Sequence, residues 1–78
     1  MLKIRNLKKL NNEYQCEYQP EGKGEWGLAT VNFDTKILEI AVPAENDYED
    51  SMFYKGHIAS AIKSALASGR TESTIMWY

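Results

Sequence analysis

A chain of 78 residues has room for one domain (1–78) and one modest core, because a fold of this size hides only about 60% of the surface that its unfolded form exposes. With 44% hydrophobic and 26% charged residues and a net charge of −2, the composition is globular, away from disorder and from the strongly basic balance of a general polyanion binder. The single cysteine, Cys16, excludes an internal disulfide framework and fits a reducing, cytoplasmic setting, and no apolar stretch approaches the roughly 18 residues of a membrane span.

The first ten residues, "MLKIRNLKKL", interleave Lys3, Arg5, Lys8 and Lys9 with apolar positions, so no continuous apolar run of the leader type forms. "LKIR" has the period-two pattern of a half-buried strand, Leu2 and Ile4 on one face and Lys3 and Arg5 on the other. Beyond Asn6 the apolar positions fall at Leu7 and Leu10, and this slip predicts a bulge or an early turn. "NNE" at 11–13 is turn chemistry, since asparagine tolerates the left-handed conformation. "EYQCEYQ" then alternates again with Tyr14, Cys16 and Tyr18 on one face, which completes a first hairpin.

"PEGKGE" at 20–25 reads as a loop, and its glycine spacing lacks the run and the Lys-Ser/Thr pair of a phosphate loop. "WGLATVNF" and "ILEIAV" pair across "DTK" as a second hairpin. In the first of these strands Trp26, Leu28 and Thr30 oppose Gly27, Ala29, Val31 and Phe33; in the second Leu38, Ile40 and Val42 oppose Ile37, Glu39 and Ala41. The small residues Gly27 and Ala29 predict a helix approaching closely at that point.

Pro43 ends the strand, and one helix is predicted from Asp47 or Asp50 to Ser68, with Asp50 and Ser51 as capping residues and Gly69 just past the end. Tyr54, Ile58, Ala61, Ile62, Ala65 and Leu66 form its apolar stripe, and His57, Ser60, Lys63, Ser64 and Ser68 its solvated side. Gly56 costs helix stability, which marks either close packing against a neighbour, the favoured reading, or a helix start later than Gly56. "TESTIMWY" closes the chain as a last strand. The expected fold is therefore α+β, in the order ββββαβ: an antiparallel sheet of four to five strands, two hairpins plus a C-terminal strand, packed on one α-helix.

Such a sheet leaves one face partly covered, and Tyr14, Tyr18, Trp26, Trp77 and Tyr78 outnumber the space beneath one three-turn stripe. The leading expectation is a protein-interaction module that forms a homodimer, or meets another protein, through Trp26, Ile75, Met76, Trp77 and Tyr78. A second reading has Lys3, Arg5, Lys8 and Lys9 tracking single-stranded nucleic acid while Tyr14 and Tyr18 stack its bases, though a pI of about 5.3 disfavours it. In a third, the aromatics are core and rim of a monomer. The uneven charge, four bases within 1–10 against Glu45, Asp47, Glu49 and Asp50, suits contacts between complementary patches or two solvated runs.

No catalytic constellation, metal set or cofactor motif is expected. His57 and Cys16 are the only histidine and cysteine, one on the solvated helix side and the other on an apolar strand face. Ser60, Ser64 and Ser68 recur with helical spacing but have no base beside them, and the acidic run lacks calcium-loop spacing.

Overall fold

The computed structural model describes residues 1–45 and 53–76, apart from the side chain of Phe53. Its elements are β1 (Leu2–Leu10), β2 (Glu13–Pro20), β3 (Gly27–Asn32), β4 (Ile37–Val42), α1 (Phe53–Ser68) and β5 (Ser73–Ile75). The strands make one antiparallel sheet in the order β4-β3-β2-β1-β5, with α1 on one face. The predicted ββββαβ, α+β architecture is the one observed. The capping residues Asp50 and Ser51 lie outside the described residues, as do Asp47, Trp77 and Tyr78.

The local signals act where the residues place them. Asn6 takes a φ of 55° and the β1–β2 register shifts between Arg5 and Lys8, so the slip in alternation is a bulge that returns Leu7 to the buried face. Asn11, φ 57°, supplies the positive first angle of a two-residue turn that sets Leu10 opposite Glu13. The second hairpin turns over 33–36, one residue more than the predicted "DTK". Asn32 Oδ1 accepts from the amides of Asp34 (2.9 Å) and Thr35 (3.2 Å), and Lys36 is left-handed at φ 60°. Pro20, read from sequence as part of the loop, is the buried last residue of β2.

Tyr54, Ile58, Ala61, Ile62 and Ala65 of α1 are buried against Leu2, Ile4, Leu7, Cys16, Tyr18, Ala29 and Val31 of the sheet. Full burial of the side chains of Ile58 and Ile62 contributes about 1.5–3 kcal/mol each. At the helix end, Gly69 (φ 67°) donates to the Leu66 carbonyl at 3.2 Å and Arg70 to the Ala65 carbonyl at 2.9 Å, the paired bonds of a Schellman cap.

Three expectations are corrected. Gly27 makes room not for the helix but for the Tyr18 ring and the backbone of Val42 and Ala44. A register shift between Leu28 and Ala29 sets Val42 opposite Leu28, so Val42 leaves the face of Leu38 and Ile40 and is 51% exposed. Gly56 is exposed, and no described residue comes within 4 Å of where a β-carbon would stand, so close packing against the described residues is not its reason. Gly56→Ala is accordingly expected to stabilise the fold by about 0.5–1 kcal/mol through helix propensity, read as a higher urea midpoint; an unchanged or lower midpoint contradicts the open surroundings seen at Gly56.

Candidate functional site

The helix does not sit centrally on the sheet: α1 lies closest to β1 and β5. On the same face Leu38 and Ile40 of β4 and Phe33 of the turn are only half-buried, and Leu66 of α1 is 40% exposed. Between α1 and the β3–β4 hairpin lies an open hollow of about 610 Å³ lined by Val31, Phe33, Leu38, Ala59 and Leu66 together with Lys36 and Lys63. The Lys63 ammonium is 5.7 Å from the centre of the Phe33 ring. No acid lines this hollow among the described residues.

β4 is also an outer strand, and among the described residues no strand pairs with its far side. Its side chains are exposed on the sheet's other face as well, Ile37 by 55%. A six-residue strand with a free edge and apolar residues on both faces presents unpaired main-chain groups beside apolar surface, the combination through which sheets recruit another strand. The other outer strand, β5, has three residues only and pairs with β1 of its own chain, Leu2 opposite Ile75.

Over β1 and β2 the face away from the helix is polar and locally tied. The Arg5 guanidinium carbon lies 3.9 Å from the centre of the Trp26 ring, and Arg5 Nε donates to Glu17 Oε2 at 2.7 Å. Asn6 Nδ2 donates to the same oxygen at 2.6 Å. The hydrogen bonds from Arg5 and Asn6 hold the Glu17 carboxyl below the ordinary carboxylate range. The stability this gives is present above the ordinary carboxylate pKa and is lost as pH falls through the lowered one. One face of the half-buried Trp26 indole is thus occupied by Arg5.

Of the residues expected to form one interaction surface, the described ones, Trp26, Ile75 and Met76, stand in different surroundings. Trp26 packs with Arg5, whereas Ile75, opposite Leu2, packs against the core, and Met76 beyond it is 65% exposed. The basic and aromatic set is divided too. Lys3 and Arg5 stand on the face opposite Ile4, while Lys9 lies near Tyr14, its ammonium 6.0 Å from the ring centre. Tyr14 packs on Phe33, ring centres 5.9 Å apart, and Tyr18 is fully buried with its hydroxyl accepting from the Ala44 amide at 3.0 Å. Tyr18 therefore has no ring face free to stack a base. Lys8, opposite Gln15, is exposed. The surface that sequence reasoning passed over is that of Phe33, Ile37, Leu38, Val42 and Leu66, although "ILEIAV" did carry a signal: apolar residues at both parities leave one set without a core to enter.

The nucleophile candidates are no better placed. Cys16 is buried, and burial, with a smaller contribution from the neighbouring Glu17 charge, pushes its thiol up to about 12. At pH 8 it is expected to react with a thiol reagent only at the rate at which the fold opens; labelling as fast as in urea-unfolded protein contradicts its burial. Because the folded pKa is raised, the linked stability is intact below the thiol's ordinary 9.0 and declines as pH rises towards about 12. His57 is half-buried on α1, Ser60, Ser64 and Ser68 are exposed, and among the described residues no group of histidine, cysteine or acid side chains is arranged to hold a metal ion. No described helix is long and apolar enough to cross a membrane. Comparison with family models, with curated proteins and with solved structures gives no match for this chain.

Proposed function

We propose that this chain is a non-enzymatic protein-interaction module that pairs with a second copy of itself, strand against strand, along the outer edge of β4. The observation that carries this reading is the position of α1 over β1 and β5, which leaves the β4 edge and the apolar residues beside it without cover among the described residues. A two-fold axis normal to the sheet would extend it from five strands to ten and keep both helices on one face. An antiparallel pair centred on Leu38 sets leucine against leucine. Centring on Glu39 would oppose like charges directly, so the single acid in β4 selects between registers. The buried, unpaired thiol of Cys16 supports the cytoplasm as the place where the module works.

Sedimentation from low to high micromolar concentration tests the reading on the protein and on the double variant Ile37→Glu/Val42→Glu, whose exposed sites accept a charge without loss of fold. In the Leu38-centred register this variant sets the new acids against Glu39 and Asp34 of the second copy. The expected result is a dimer forming from the 8.9 kDa monomer as concentration rises, and a double variant that remains monomeric. A wild-type chain that stays monomeric throughout, or a variant that pairs equally well, overturns it.

A further inference from the structure

Strands in a sheet lie about 4.8 Å apart, so five of them span roughly 20–24 Å, whereas a helix with its side chains is about 10 Å across. One helix covers about two strands. With α1 seated near β1 and β5 and with Ala29 and Val31 of β3 already buried, the helix-side surface left open lies over β4 and its turn, where Phe33, Leu38 and Ile40 are half-buried. A further helix there would lie beside α1 at the usual spacing of about 8–10 Å between axes. The apolar hollow occupies that position. Its α1 wall runs from Ala59 through Lys63 to Leu66, about 10 Å along the helix axis at roughly 1.5 Å per residue, or two turns.

We propose that this groove receives an amphipathic, acidic helix from a partner protein. The hollow is open to solvent and bounded on one side by two turns of α1, so an occupant keeps one side exposed and must present a polar face to water there, as an amphipathic helix does. A small apolar ligand would instead be enclosed over most of its surface. The accessible apolar walls, Phe33, Leu38 and Leu66 beside the buried Val31, meet apolar side chains repeating at i, i+3, i+4 and i+7. The charge follows from Lys36 and Lys63, which line the groove with no acid among its described walls, so acids on the flanks of the incoming helix find cations there and bases are repelled. A second copy of this chain does not supply such a helix, because the apolar stripe of α1 is already buried in its own core. The groove lies within each protomer and does not depend on pairing at β4.

The test uses a labelled synthetic peptide of about 18 residues, or five turns, with leucine at i, i+3, i+4 and i+7 and glutamate on the flanks, and a twin carrying lysine for every glutamate. Fluorescence anisotropy is read with the full chain and with its Ile37→Glu/Val42→Glu form, so that loss of pairing and loss of groove binding are separable. The acidic peptide is expected to bind both forms at least roughly tenfold more tightly than its basic twin, and Lys36→Glu/Lys63→Glu to reverse that order. Lys63→Gln alone, a neutral change at an exposed site, is expected to weaken acidic-peptide binding several-fold with an unchanged circular dichroism spectrum. Absence of binding by both peptides at several hundred micromolar, equal binding of the two, or a preference that survives charge reversal overturns the assignment.

Discussion

Gly27→Ala is expected to destabilise the fold by about 3 kcal/mol or more, the upper range for inserting a methyl group into a packed interior. A β-carbon there meets Cε1 of Tyr18 in overlap and lies 2.5 Å from both the Ala44 amide nitrogen and the Val42 carbonyl oxygen. None of the three can yield cheaply. The Tyr18 ring is fully buried, Tyr18 and Gly27 are partners in the β2–β3 ladder, and the Ala44 amide is bonded to the Tyr18 hydroxyl. The φ of Gly27 is not positive, so its requirement is space and not a left-handed backbone. Urea denaturation reads the effect, and a loss below about 1 kcal/mol would contradict the close approach.

Tyr18→Phe is the second large effect, with an expected cost of about 2 kcal/mol. The substitution keeps the ring, and with it the packing under α1 and against Gly27. What it removes is the acceptor for the amide of buried Ala44, the bond that ties the end of β4 back across β3 to the middle of the sheet. A buried N–H deprived of its partner costs its full desolvation, more than the net worth of the bond when both partners are present. A change within about 0.5 kcal/mol would mean that another group or water takes over the hydroxyl's role.

How far the residues foretell this arrangement can be traced element by element. Alternation in β1, β2 and β3, the slip at Asn6, the turn at Asn11, the helical stripe and the Gly69 cap are local signals, and each acts within a few residues of where it is written. Gly27 and Val42 were not legible because their environments are set across strands: one depends on a ring from β2, the other on a shift in the pairing of β3 with β4. The surplus of aromatics was in part accommodated by the same device, since the space at Gly27 admits Tyr18 to the core and Arg5 covers Trp26. The candidate surface joined Trp26, part of the aromatic surplus, to the C-terminal run that holds Ile75; among the described residues, Ile75 faces the core opposite Leu2 while Trp26 packs with Arg5. Conversely, the exposure of Leu38, Leu66 and Phe33 follows from where along the sheet α1 comes to rest, which no periodicity encodes.

Backbone amide exchange along β4 addresses the proposed pairing most directly, because it reads the main-chain groups that a second strand would engage. Within Ile37–Val42, the amides on the outer edge are expected to exchange progressively more slowly as protein concentration rises from micromolar to near millimolar, while those of β2, inside the sheet, keep the same rates. Outer-edge amides whose exchange is independent of concentration over that range would contradict it.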